Sequence, residues 1–343
     1  MLNDPGQAQD QGEEGLVSVV VIGRNEGERL SRCLRSVFAI DHPGFALEVI
    51  YVDSGSTDDS IARAVAEGAQ TIALKPERPS AALGRNAGWR AARGSIILFL
   101  DGDTVLHPSF VSASLPEFSD PTLAALWGHR RELHPEQSIF NRTLDLDWIY
   151  APGITPYCGG DALFRRSVLA QTGGFDPTLI AGEEPELCRR IVALGFYILH
   201  VDRRMTMHDL AITRWSQYWK RNTRAGHAFA EVSERFRNAE QPFWTGEATR
   251  NRNRCLTIVI GLLAAIASSI LLKSLLPFAI YCILFALLSI RSAWRASWKT
   301  NDRIALLMYG VHSHLQQIPI YFGQLQYKWS RRRGQRLILF EYK

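Results

Sequence analysis

No Cys-x-x-Cys pair occurs among the five cysteines of this 343-residue chain, and their number is odd. Neither a fully paired disulfide framework nor a cysteine-built metal site fits that pattern. Cys33, Cys158, Cys188, Cys255 and Cys282 are therefore read as reduced thiols. The N-terminal stretch lacks the basic and apolar regions of a signal peptide. Residues 1–15 are polar and rich in Gly, Gln, Asp and Glu, so they are expected to be disordered and to stay cytoplasmic. A Gly-x-Gly-x-x-Gly run is also missing after the first apolar run, where Gly23-Arg24-Asn25-Glu26-Gly27 stands instead. The dinucleotide-binding fingerprint fails there. A strong charge imbalance is lacking too. The net charge is +5, and much of the excess clusters near the C-terminal apolar stretches, which points to a membrane surface and not to nucleic acid.

What is present is organised around Ser95–Val105. The β-forming run Ile96–Leu100 ends in two carboxylates, Asp101 and Asp103, split by Gly102. Continuous apolar character suits a central strand buried on both faces of a parallel sheet. Acids at the carboxyl end of such a strand stand where open α/β sheets bind ligands. At i, i+2 both can turn toward one hard cation, which takes oxygen ligands. A solvated turn carrying two acids is the plain alternative.

Upstream, Val17–Ile22 and Leu47–Val52 read as strands, and Leu30, Cys33, Leu34, Val37 and Phe38 recur at helical spacing. Asp53 ends the second strand, where an acid can reach a nucleoside in the same crevice as Asp101 or simply serve the turn. Thr57 or Asp58 caps a helix over 60–66, and Thr71–Leu74 is a short strand. A helix over 81–92 carries Arg85 near its start, where an anion would meet both the guanidinium and the helix N-terminus. Strand alternating with helix over a hundred residues predicts a parallel, nucleotide-binding α/β layer of a chain long enough for an accessory region.

Leu123–Trp127 reads as a strand, and 128–156 as a long irregular connection of the kind that faces a substrate. In Cys158-Gly159-Gly160-Asp161 the glycines permit close backbone approach to a ligand. A helix follows from about Arg165 to Gln171. Pro185 fits the first position of another helix, which places Glu183 and Glu184 at its mouth as capping acids or as a general base. Phe196–Val201 is a strand, and His208 lies in the loop beyond it, either as a metal ligand or as a hydrogen-bonded loop histidine. The stretch from Arg214 to Gly226 is an aromatic and basic helix. It suits a membrane interface or an anionic lipid-linked substrate, or packs on the core while its basic ends snorkel.

From Cys255 the composition changes. Leu256–Leu272 and Leu275–Ile290 are each about the minimum length of a membrane span. Arginines flank the pair on both sides and Lys273 marks the turn between them, as in a hairpin with both ends cytoplasmic or one buried in a single leaflet. Ile304–Tyr327 is too polar for an easy span and is read as interfacial or re-entrant.

With these residues placed, residues 17–226 resemble the family 2 glycosyltransferases of the GT-A fold. Val17–Glu26 is similar to the family's opening strand with its Asn-Glu, and the run from Val52 to Asp58 to its nucleoside-binding turn. Leu100–Asp103 is similar to the metal-binding Asp-x-Asp, and Gly182-Glu183-Glu184 to the Gly-Glu-Asp segment of the catalytic base. The resemblance implies an α/β GT-A fold, a mostly parallel sheet flanked by helices, over 16–249. A membrane-associated region, transmembrane or membrane-embedded, follows over 250–343. It also implies a nucleotide-diphospho-sugar donor, Mg²⁺ or Mn²⁺, and inversion at the anomeric carbon. By the same resemblance Arg24, Glu26, Asp53, Arg85 and Asp101 meet the donor, and Asp101, Asp103 and His208 the metal. Gly159, Gly160 and Asp161 face the acceptor, and Glu184, with Glu183 as alternative, is the base. Ser54 stands where a second acid is common, and Glu184 where aspartate is usual.

Processive synthases of this family carry Gln-x-x-Arg-Trp, whereas Ala211-Ile212-Thr213-Arg214-Trp215 keeps only the Arg-Trp. Transfer of a single sugar to a lipid-linked or polysaccharide acceptor at the cytoplasmic face of the plasma membrane is the preferred reading. A haloacid-dehalogenase-type phosphatase with Asp101 as nucleophile is a rival, but several α/β elements precede the motif and no later lysine and acid pair matches. A sugar-nucleotide-binding membrane subunit without turnover is the other alternative.

Overall fold

The apolar runs of the first hundred residues fold as alternating strands and helices in a computed structural model, which describes residues 12–334. They are β1 (Glu13–Gly23), α1 (Glu28–Phe38), β2 (Ala46–Asp53), α2 (Ser60–Ala66), β3 (Gln70–Ala73), α3 (Ala81–Ala91) and β4 (Gly94–Asp101). Strand β1 begins four residues before the expected Val17. Glu13 is already inside it, its amide donating to the Arg93 carbonyl at 2.7 Å, so the expected disorder of 1–15 does not extend over Glu13–Gly15. Residues 1–11 lie outside the described residues.

The chain continues as β5 (Thr104–Leu106), α4 (Phe110–Ser114), β6 (Leu123–Glu132), α5 (Ile139–Asp147), β7 (Gly153–Thr155) and β8 (Ala162–Arg165). Then come α6 (Arg166–Thr172), α7 (Glu183–Ala193) and β9 (Tyr197–His208). The expected irregular stretch 128–156 is overturned, because most of it is regular. β6 runs on to Glu132 through residues that alternate poorly, with register shifts against β9. Helix α5 buries Asn141, Thr143 and Asp145 beside Leu144 and Leu146, which hides its period from a hydrophobic count. Strand β9 also runs past Val201 to His208, so His208 is a strand residue paired with Thr104 and not a loop residue.

The strands order as β3-β2-β1-β4-β8-β6-β9-β5, with β7 on β9. The half built from β1 to β4 is parallel, as expected. The other half is mixed: β8 runs antiparallel to β4 and β6, β6 parallel to β9, and β5 and β7 antiparallel to β9. At the centre, Ile97, Leu98, Phe99 and Leu100 of β4 have no accessible surface, which is what a run apolar at every position requires. α3 starts at Ser80, whose hydroxyl accepts from the Leu83 amide.

The described residues fall into two compact units. The first takes the chain to Leu133 together with Trp148–Leu210, and the second takes His134–Asp147 together with the chain from Ala211 on. The second unit thus includes α5 and residues 211–249, which the sequence reading assigns to the catalytic domain. It contains α8 (Trp215–Arg235), α9 (Thr245–Leu271), α10 (Leu276–Arg295), α11 (Arg303–Leu315) and α12 (Gln317–Arg332). α8 packs on α12 at two glycines. A Cβ on Gly226 would strike the Ile320 carbonyl oxygen, and one on Gly323 the Thr223 carbonyl oxygen. The polar residues that argue against a span in 304–327 are spent inside this bundle. His312 bonds Tyr218 Oη at 2.8 Å and Asp147 Oδ2 at 3.1 Å, and Gln324 donates to the Ala248 carbonyl. That stretch forms two packed helices, α11 and α12. Helices α9 and α10 are long and apolar enough to cross a membrane, with residues such as Ile260, Leu263, Ile283 and Leu287 exposed.

Candidate active site

The carboxyl ends of β1, β2 and β4 lie side by side, with Ile22 opposite Asp101 and Gly23 opposite Asp53. β4 delivers Asp101 at its last residue, and the turn to β5 delivers Asp103. The pairing of β5 with β9 brings His208 beside them, its Nε2 3.2 Å from Asp103 Oδ1. Ligand atoms of Asp101, Asp103 and His208 lie within 4.8 Å of one another. Two carboxylates and an imidazole at that spacing fit a divalent cation that accepts oxygen with some nitrogen, such as Mg²⁺ or Mn²⁺.

A second cluster forms around Arg85. Its guanidinium is buried and meets Asp101 Oδ1 at 3.0 Å, Glu183 Oε1 at 2.9 Å and Glu184 Oε1 at 2.9 Å. The sequence reading places Arg85 where an anionic ligand would meet it. In the fold it is enclosed among carboxylates, which hold its pKa above the ordinary value although burial works the other way. Glu183 is only 4% exposed, whereas Glu184 is 17% exposed. Burial raises the Glu184 carboxyl to about 7, with the charge of Glu183 adding and Arg85 opposing. Gly160 lies against this cluster. A Cβ there would come 2.5 Å from Arg85 Nη2, 3.1 Å from Asp101 Oδ2 and 3.2 Å from Glu184 Oε1, so a side chain would displace the Arg85 guanidinium from its carboxylates.

Asp161 is buried and turned inward. Its Oδ1 accepts from the Asp101 amide at 3.1 Å and its Oδ2 from Thr206 Oγ1 at 2.8 Å, tying the tip of β4 to β9. Burial raises its pKa, Arg130 opposing and the charge of Asp101 adding. Asp53 is likewise occupied: Oδ2 accepts from the Gly55 and Ser56 amides and Oδ1 from Tyr51 Oη. Arg24 donates to the Gly55 carbonyl, and Glu26 packs its side chain against Gly102 while pairing with Arg29 at 3.1 Å. Arg24 and Asp53 thus build the turn that follows β2, and Glu26 props the Asp-Gly-Asp turn.

A family model described as "Glycosyltransferase like family 2" covers residues 14–228. The chain belongs to the family 2 glycosyltransferases. It is 25% identical over 243 residues to the probable glycosyltransferase YdaM of Bacillus subtilis, covering 65% of this chain and 57% of that protein. It is 28% identical over 209 residues to the pre-mycofactocin glycosyltransferase of Mycobacterium tuberculosis, covering 56% of this chain and 42% of that one. The chain therefore spans roughly half the length of these curated relatives. Among solved structures, the mannosyltransferase PcManGT of Pyrobaculum calidifontis, in complex with GDP-Man and Mn²⁺, superposes with a TM-score of 0.67. At 20% identity it covers 92% of this chain and 87% of its own, and the shared fold is GT-A.

One residue of the transferase escapes the sequence reading. Arg130 of β6 reaches Asp101 Oδ2 and Asp161 Oδ2, each at 3.5 Å, and lies over the Trp148 ring at 4.7 Å. Trp148 in turn packs on His208, ring centroids 5.1 Å apart. The only signal in the sequence is a basic pair, Arg130-Arg131, inside a stretch with no clear period.

Proposed function

We propose that the chain is an inverting glycosyltransferase moving one sugar from a nucleotide-diphospho-sugar to a lipid-linked or polysaccharide acceptor in cell-surface glycan assembly. The observation that carries this reading is the pairing of two unlike carboxylate clusters. One, with Asp101, Asp103 and His208, suits a cation. The other presents Glu184 near neutrality, poised to take a proton.

In this reading Asp101, Asp103 and His208 hold Mg²⁺ or Mn²⁺, which when bound neutralises charge on the departing diphosphate. Glu184 accepts the proton of the acceptor hydroxyl as its oxygen attacks the anomeric carbon from the face opposite the leaving group. Glu183, buried deeper against Arg85, serves as the counter-charge and not as the base. Arg85 orients both Glu184 and Asp101 and so acts as a positioning residue. Asp161 fixes the main chain at Asp101, and Asp53 shapes the turn that receives the nucleoside. Gly159 and Gly160 border the acceptor side. Helices α9 and α10 anchor the enzyme in the plasma membrane with its catalytic residues on the cytoplasmic face, consistent with arginines at one end of the pair and Lys273 at the other.

The test is nucleoside diphosphate release from a panel of UDP-, GDP- and dTDP-sugars by membranes carrying the chain, with Mg²⁺ or Mn²⁺. Release from one donor, abolished by chelator and by Asp103→Ala, with the product anomer inverted by NMR, is the expected result. A product of retained configuration, or release indifferent to chelator and to Asp103→Ala, would contradict it.

A further inference from the structure

Two of the five thiols meet within the first unit. Cys158, between β7 and β8, and Cys188, on α7, bring their sulfurs to 3.6 Å, one S–H donating to the other. Cys188 has no accessible surface. Cys158 is 2% exposed, yet it lines a cavity of about 150 Å³ in the same unit. We propose that this pair is a site of reversible oxidation, at which a peroxide converts two thiols to a disulfide that switches the enzyme off. The loss of turnover rests on the reading of Glu184 as the base, whereas the formation of the bond does not.

Access, chemistry and position carry it. One water needs about 10–15 Å³ of such space, so the cavity has room for hydrogen peroxide beside Cys158, the member of the pair that it reaches. The Cys158 sulfur attacks one peroxide oxygen and the O–O bond breaks, leaving a sulfenic acid and one water. The Cys188 sulfur then displaces the remaining oxygen as a second water and forms the S–S bond. The two thiols together lose two electrons and two protons, and the peroxide is reduced to two waters. The hydrogen bond with Cys188 and burial hold the Cys158 thiol well above the ordinary range, with Arg85 opposing. The thiolate is the nucleophile, so the bond forms slowly at neutral pH and faster as pH rises. Its position couples it to the carboxylates. Cys188 lies four residues after Glu184 on α7, hence on the same face of that helix. Cys158 precedes Gly159 and Gly160, and Gly160 fits closely against Arg85, Asp101 and Glu184. An S–S bond is about 2.05 Å long, so forming it from a 3.6 Å contact draws the loop and the helix together. A shift of about 1 Å in a catalytic group can cost roughly 100-fold in rate.

The test uses the full chain in lipid nanodiscs, with Cys282→Ser to remove the exposed thiol. Samples are treated with hydrogen peroxide at pH 6.5 and 8.5, alkylated, digested and read by mass spectrometry. A peptide cross-linked through Cys158 and Cys188 is expected, more abundant at pH 8.5 and lost on adding dithiothreitol. Nucleoside diphosphate release should fall by about tenfold or more with the cross-link and return with dithiothreitol. Adding Cys158→Ala should keep the untreated rate and resist peroxide. Adding Cys188→Ala instead should leave Cys158 as a sulfenic acid that dimedone tags. No cross-link at either pH overturns the proposal, and so does a cross-link that leaves release unchanged or a peroxide loss undiminished in Cys158→Ala. The cross-link is read without any turnover, so a chain that forms it but releases no nucleoside diphosphate even untreated upholds the oxidation site and counts against the transferase reading alone.

Discussion

Glu183 and Glu184 carry the same side chain one residue apart, and Arg85 meets each at 2.9 Å. Their environments separate them. Glu183 is closed off at 4% exposure, while Glu184 keeps a solvent-facing edge and a carboxyl raised to about 7 by burial and by the charge of Glu183. A base works only when deprotonated, so the raised value sets the sign. Turnover should climb as pH rises through about 7 and level above it, read as kcat against pH. Arg85 supplies the opposing pull, and removing it should push that limb to higher pH. Arg85→Met should also destabilise the first unit by about 3–5 kcal/mol in denaturant or thermal unfolding, because it strands Glu183, Glu184 and Asp101 without their counter-charge. The run Gly182-Glu183-Glu184 is legible from sequence as a helix mouth bearing acids. Which acid is the base is not, because the difference arises from how deeply each is buried.

At the scale of elements, β1, β2 and β4 are legible because their central positions are apolar almost without a break, as strands buried on both faces require. β6, α5 and the far end of β9 are not. They carry Arg130, Asp145 and His208 on faces buried by the site or by polar partners, and a hydrophobic period cannot register those faces. The same reason hides the two helices over 304–327 from a hydrophobic count: His312 and Gln324 are polar by composition and buried by pairing. The packing of α8 on α12 at Gly226 and Gly323 gives a test. Gly226→Val forces a side chain into the Ile320 carbonyl and should lower the unfolding temperature of the purified chain, with a cost of roughly 1–3 kcal/mol or more. An unchanged transition would mean that the two helices do not meet there.

For the whole molecule, the chain belongs to the family 2 glycosyltransferases, and two of its helices are long and apolar enough to cross a membrane. Ile283→Arg with Leu287→Arg places two charges near the middle of α10, each costing about 2.5–3.5 kcal/mol in a bilayer centre. That double variant should appear in the alkaline-extractable fraction, where the wild type stays with membranes. In the proposed mechanism Glu184 takes the acceptor proton in a metal-assisted sugar transfer. Its most direct test is nucleoside diphosphate release by the full chain in membranes, followed from pH 5.5 to 8.5 for wild type and Glu184→Gln. The expected result is a wild-type limb near pH 7 and a variant slower by at least roughly 100-fold with that limb gone. A variant that keeps wild-type turnover and the same limb would contradict it.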